Sequence, residues 1–136
     1  MNRRSFLATT AAALVLAPMA RAEVMYTPGL VDAELAAGKT VFLDYAATWC
    51  TTCAAQERVI NALKSENPAY EQNVSFIKVD WDTYSRDAIT TRYNVPRRST
   101  LIVLKGDQEL GRIVAETSRD DIKALMDTAL NAATTA

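Results

Sequence analysis

The sequence predicts an α/β fold, with a central mixed β-sheet of about four strands flanked by helices. Three observations predict it. Runs rich in β-branched and aromatic residues at 40–46, 74–80 and 100–104 read as buried strands. Segments compatible with helix separate them. Gly106-Asp107 then turns the third strand back into a fourth at 109–115. A strand-helix-strand unit followed by a helix and a hairpin requires a mixed sheet with helices on both faces.

The elements follow in order. Residues 23–28 are an extended lead-in that ends at Pro28-Gly29. Residues 30–37 favour a short helix closed by Gly38. Residues 40–46 (Thr-Val-Phe-Leu-Asp-Tyr-Ala) form a buried strand interrupted by one acid, Asp44. A helix is expected to begin at Cys50 or just after it. Val59, Ile60 and Leu63 give it an apolar stripe, and it weakens near Asn67-Pro68. After the second strand, residues 83–93 read as a helix with Thr83 at its N-cap. Ser118 caps a last helix over 119–131, with Ile122, Leu125, Met126 and Leu130 on one face.

At 136 residues, nearly half of them apolar, the chain is long enough for one domain with its own core. Its first 22 residues read as a targeting segment. Arg3 and Arg4 supply charge, residues 6–17 a short apolar stretch, and Ala20-Arg21-Ala22 a cleavage site before Glu23. The apolar stretch is too short to span a bilayer of roughly 30 Å comfortably. The Arg-Arg-Ser-Phe-Leu run resembles a twin-arginine export signal, with an ordinary secretory signal as the alternative. Either leads to an oxidising compartment, and for a bacterial protein to the periplasm. The domain at 23–136 keeps 12 basic residues against 16 acidic, a net charge of −4. A mildly acidic domain has no general attraction to nucleic acid.

Chemistry concentrates at the two cysteines, Cys50 and Cys53, where a buried strand meets a helix. Backbone N–H groups and the helix dipole at that position lower a thiol pKa, and the thiolate is the attacking species. In this reading Cys50 sits at an exposed tip and attacks a substrate disulfide. Cys53 lies one turn further in and resolves the mixed disulfide. Two rival readings stay open. A zinc site normally needs four ligands, and the chain has no histidine and no third cysteine. A purely structural disulfide would close a very short loop, where chain-entropy stabilisation is least.

Asp44, the segment Trp49-Cys50-Thr51-Thr52-Cys53 and the strand-helix setting resemble the thioredoxin family, from about residue 30 to residue 130. The resemblance implies a thioredoxin-like fold and a redox-active Cys50–Cys53 disulfide. It also implies a buried carboxylate at Asp44 behind the second cysteine and a lysine partner for it at Lys78. An acid in an apolar strand has a raised pKa unless it is paired, so Asp44 is a candidate proton acceptor for Cys53. A solvent-exposed strand-end acid is the plainer alternative. Trp49 is expected to flank the site, with core packing as its alternative role. No task is evident for Trp81.

One position departs from the family. Thioredoxins carry a cis-proline before the third strand, facing the cysteines, and its neighbours bind the substrate backbone. Aligned on Tyr93 and Thr100-Leu101, that position holds Ser99, and Pro96 falls three residues early. A non-proline cis bond costs about 2.5–4 kcal/mol, so the Arg98–Ser99 bond is expected to be trans. The Ser99 hydroxyl can then reach a cysteine sulfur. Arg97 and Arg98 bring positive charge to the same rim, favouring thiolate and an acidic partner, unless they are only a solvated loop. Trp49, Arg98 and Ser99 are the candidate substrate-binding residues.

The function these residues predict is exported thiol-disulfide oxidoreductase, acting on oxidised periplasmic proteins in the reducing direction as a monomer. The Tyr-Ala-Ala-Thr-Trp-Cys-Thr-Thr-Cys stretch with Asp44 and Lys78 resembles the periplasmic thioredoxin-like domain of the DsbD type, which implies a membrane electron donor. No flavin or nicotinamide fingerprint is present, and no cofactor or metal is expected. Two alternatives remain: a non-catalytic binding or chaperone module of the same fold, and Cu(I) handling by the two thiolates.

Overall fold

The structure is a computed structural model that describes residues 23–135. The expected export signal, residues 1–22, lies outside them. The elements run β1 (Val24–Met25), α1 (Leu30–Ala36), β2 (Thr40–Ala46), α2 (Thr51–Glu66), α3 (Ala69–Asn73), β3 (Val74–Asp80), α4 (Trp81–Tyr84), α5 (Ala88–Thr91), β4 (Thr100–Lys105), β5 (Gln108–Val114) and α6 (Arg119–Thr134). One five-stranded sheet has the order β1-β3-β2-β4-β5. β1 and β2 flank β3 in parallel, and β4 and β5 run antiparallel. The α/β thioredoxin-like architecture is therefore present, with one more strand than expected.

Strand alternation divides the core in two. Phe42, Phe76, Leu101 and Val103 pack against α2, α3 and α6 on one face. Val41, Leu43, Tyr45, Ile77 and Ile102 face α1 and the segment with α4 and α5 on the other. Asp44 shares the parity of Phe42, so its side chain lies on the α2 face. Lys78 is its register partner on β3. This placement brings the acid beneath the helix that carries Cys53.

Four local expectations change. The lead-in is a short strand, β1, because Val24 and Met25 pair with Ile77 and Lys78 on β3. The segment after Asn67 forms α3, with Pro68 fixed at φ −60 in front of it. The single helix expected at 83–93 is two short turns. Asp80, not Thr83, caps the first, accepting from the Thr83 N–H at 3.2 Å. Asp87 adopts an extended conformation and caps the second, accepting from the Ile89 N–H at 3.2 Å. Two successive aspartate caps start two helices where one apolar pattern had suggested one. Ser118 caps α6 through the Asp121 N–H. Among the described residues no helix is long and apolar enough to cross a membrane.

Candidate active site

β2 ends at Ala46, and a three-residue turn delivers Cys50 as the N-cap of α2. Its Sγ accepts the Cys53 N–H at 3.1 Å, so the sulfur itself satisfies one open donor of the helix end. Cys50 and Cys53 form a disulfide, their Cα atoms 5.3 Å apart. The expected contrast between an exposed and a buried cysteine is absent in this oxidised state. Cys50 is 4% exposed and Cys53 5%. Ala46, Ala47 and the partly buried Trp81 pack around them, so Trp81 supports the site from below.

Asp44 lies behind the pair, almost wholly buried, and its Oδ1 has no hydrogen-bond partner among the described residues. Burial pushes its pKa up to about 7, the nearby Glu23 and Glu57 push the same way, and Lys78 opposes them. The carboxyl is thus poised to exchange a proton near neutrality. A cavity of about 140 Å³ runs between Asp44, Cys53, Glu57, Lys78 and Asp80. Its size and the charged side chains in its wall, Asp44, Glu57, Lys78 and Asp80, admit water beside the acid.

Lys78 stands opposite Asp44 in register, but its ammonium makes its ion pairs elsewhere. It contacts Glu23 on one side and Glu57 on the other, each at 3.2 Å. Its influence on Asp44 is electrostatic, without an ion pair between them among the described residues. Burial lowers the Lys78 pKa, and Glu23, Asp44 and Glu57 outweigh it, so the net shift is upward.

Ser99 faces the disulfide from the loop before β4. Its hydroxyl stands 3.3 Å from Cys50 Sγ and 3.1 Å from Cys53 Sγ. The Arg98–Ser99 bond is trans, and Ser99 is fully buried with φ 63, in the left-handed region. The Ser99 N–H donates to the Tyr45 carbonyl at 2.7 Å, which extends the β2–β4 ladder by one bond.

Trp49, 56% exposed, is the rim of the site rather than part of the core. Its Nε1–H donates to the Asp82 carboxylate at 3.0 Å. The Arg98 guanidinium lies 4.5 Å from its ring centre, a cation–π contact. Arg98 Nε is buried without a partner among the described residues. Arg97 folds back, donating from Nε to the Arg98 carbonyl at 3.1 Å.

The structure adds four residues that the sequence reading did not place at the site: Gln56, Glu57, Glu23 and Asp82. Gln56 had the clearest signal. It stands three residues after Cys53, in line with Ile60 and Leu63, so it is polar on a stripe that must be buried. Its Nε2 donates to the Ser99 carbonyl at 3.0 Å and the Glu116 carbonyl at 2.9 Å. Among the described residues, no cluster of three or more His, Cys, Asp or Glu side chains could hold a metal ion.

Comparison with known proteins places this geometry. The thioredoxin family profile matches residues 24–128. Thioredoxin H2-1 of Oryza sativa subsp. japonica is 31% identical over 99 residues, covering 73% of this chain and 67% of its own. A thioredoxin-like protein of Synechocystis sp. is 32% identical over 83 residues, 60% of this chain and 74% of its own. The crystal structure of Trxlp from Edwardsiella tarda superposes with a TM-score of 0.66 at 30% identity, over 76% of this chain and 98% of that one. The chain belongs to the thioredoxin family, and the thiol-disulfide oxidoreductase chemistry of that family resides here in Cys50 and Cys53.

Proposed function

We propose that this protein is an exported reductase of protein disulfides, acting in the periplasm after cleavage before Glu23. One observation carries the catalytic part. Cys50, disulfide-bonded to Cys53, caps α2, and the pair shares a cavity with a buried carboxyl poised near pH 7. Such an acid can accept a proton from Cys53 when the mixed disulfide resolves, and return it when the disulfide is reopened.

The export and the direction rest on the sequence. The twin-arginine-like start supports delivery to an oxidising compartment, where a reductase needs a supply of electrons. The resemblance of the Trp49–Cys53 segment, Asp44 and Lys78 to the DsbD type supports a membrane dithiol as that supply. Oxidised periplasmic proteins are then the substrates, and the protein acts as a monomer. Arg97 and Arg98, on the loop that meets Trp49, favour substrates with acidic residues beside the reactive cysteine.

The reduction potential of the Cys50–Cys53 pair tests the direction. A value near about −270 mV supports a reductant, and one near about −120 mV makes the protein an oxidant. Insulin reduction with a Cys50→Ser control tests the activity itself. The non-catalytic binding-module reading has one observation behind it, the replacement of the usual docking proline by Ser99. It predicts tight capture of unfolded protein with no loss on Cys50→Ser. A reduced protein that purifies with copper would support Cu(I) handling instead.

A further inference from the structure

We propose that the Ser99 hydroxyl is a catalytic hydrogen-bond donor shared by the two active-site sulfurs, and that the buried amide of Gln56 is the positioning residue that holds it between them. The proposal deepens the exchange chemistry of Cys50 and Cys53 and is independent of the direction in which that exchange runs.

The geometry is specific. The hydroxyl lies within hydrogen-bond reach of both sulfurs, 3.3 Å from Cys50 and 3.1 Å from Cys53. Disulfide sulfurs carry no proton, so only the hydroxyl can donate. It has one proton and serves one sulfur at a time. No other partner of this hydroxyl occurs among the described residues. The backbone of Ser99 is already fully committed. Its N–H donates to Tyr45, and its carbonyl accepts from the Ala115 N–H at 2.9 Å and from Gln56 Nε2 at 3.0 Å. These bonds hold a residue with a Cβ at φ 63, which L-residues disfavour.

Gln56 is fully buried, and its Oε1 has no partner among the described residues. An apolar side chain would fill that space without the cost of a buried, unpaired oxygen. What the amide provides is a latch. It ties the Ser99 loop and the Glu116 carbonyl to α2, one turn after Cys53. Sulfur and hydroxyl are thereby set by one rigid element.

The donor has a task in each leg of exchange. A thiolate of a dithiol partner protein attacks Cys50 Sγ. A bond forms between the partner sulfur and Cys50, the Cys50–Cys53 bond breaks, and its electron pair remains on Cys53 Sγ. The hydroxyl then donates to this new thiolate, and the Asp44 carboxyl supplies the proton that neutralises it. The second partner thiol loses its proton to solvent and, as a thiolate, attacks the partner sulfur of the mixed disulfide. The partner's own disulfide forms, the bond from the partner sulfur to Cys50 breaks, and its electron pair stays on Cys50. The hydroxyl can turn to that sulfur and support it as the nucleophile for the next substrate. Hydrogen bonds to charged sulfur exceed those to neutral sulfur, so the thiolate gains over both thiol and disulfide.

The test is an ultraviolet titration of the Cys50 thiolate in the reduced full-length protein, run on the wild type, Ser99→Ala, Ser99→Gly and Gln56→Met. Losing one charge-assisted donor should cut the thiolate fraction at fixed pH by about tenfold in both Ser99 variants. Gln56→Met should shift the titration the same way by a smaller amount. Glycine suits the left-handed backbone and removes only the hydroxyl, so a Ser99→Gly titration that matches the wild type overturns the proposal. An unchanged Gln56→Met titration overturns the role of the latch. Insulin reduction by the wild type, measured alongside, reports separately on whether the protein is a reductase.

Discussion

Asp44 and Lys78 stand opposite each other on adjacent parallel strands, yet the lysine directs its ammonium to Glu23 and Glu57 and leaves the Asp44 Oδ1 unpaired. The result is a buried acid whose pKa is raised to about 7 by burial first, with Glu23 and Glu57 adding to it. The consequence for stability has a definite sign. In the unfolded chain the carboxyl ionises near about 3.9. Between that pH and 7 the folded state binds a proton that the unfolded state does not, so stability is full below pH 4 and falls as pH rises to about 7. Asp44→Asn removes the ionisation. Urea unfolding of the oxidised protein should show Asp44→Asn more stable than the wild type by about 4 kcal/mol at pH 8, and equal to it below pH 4. Parallel pH profiles for the two proteins would contradict the assignment.

Lys78 opposes the rise in the Asp44 pKa, so its removal has a predictable direction. Replacing it with Met leaves Glu23 and Glu57 unneutralised beside the acid. The Asp44 pKa should climb by about one unit, since an opposite charge nearby typically lowers a carboxyl by one or more. Lys78→Arg keeps the charge and should hold the wild-type value. Carboxyl carbon chemical shifts of Asp44, followed by NMR across pH 5–9 in the oxidised protein, read this directly.

Much of this was legible in the sequence, for physical reasons. The runs at 40–46 and 74–80 are β-branched and aromatic, and both strands have the bounds that this composition indicates. The cysteine pair, Asp44 and Ser99 could be placed because each is tied to the strand-to-helix junction or to the start of a strand. The rest depended on distant contacts. β1 is two residues long and exists only because β3 offers it an edge. The helix at 83–93 divided because Asp87 competes for backbone N–H groups, a local preference that apolar spacing does not register. Lys78 was expected on Asp44, but its ammonium answers to Glu23, just before the edge strand β1, and Glu57 on α2. Gln56 gave a polar residue on a buried stripe, but its partner Ser99 lies 43 residues away.

The arginine loop gives a prediction about substrates. Arg98 packs on Trp49, and its Nε has no partner among the described residues. A disulfide peptide with Asp or Glu beside its cysteine should react faster than one with Lys. Partly exposed ion pairs contribute about 0.2–1 kcal/mol, so changing Arg97 and Arg98 together to Ala should slow the acidic peptide about two- to fivefold. The basic peptide should gain slightly. Raising the salt from 0.1 to 1 M shortens the screening length from about 10 to about 3 Å and should narrow the difference between the peptides. Equal rates for both peptides at low salt would exclude electrostatic selection by this loop.

The proton balance of the resolving step gives the last prediction. Cys53 must lose its proton before it can attack the mixed disulfide, and it is buried away from bulk solvent. Asp44 is the ionisable carboxyl on the inner face of β2 behind it, and the adjoining cavity reaches both residues. In the wild type the resolution rate should therefore rise with pH through a step near 7, as Asp44 becomes able to accept the proton. In Asp44→Asn that step should vanish, leaving a slower rate that climbs only as the thiol ionises unaided. The loss should reach about 10²-fold at neutral pH, the lower end of the range for general base catalysis. Single-turnover decay of a mixed disulfide between Cys50 and a small thiol, measured from pH 6 to 9, separates this from a structural defect. A misfolded variant loses rate at every pH, whereas a missing base loses it most near pH 7 and recovers as hydroxide takes over.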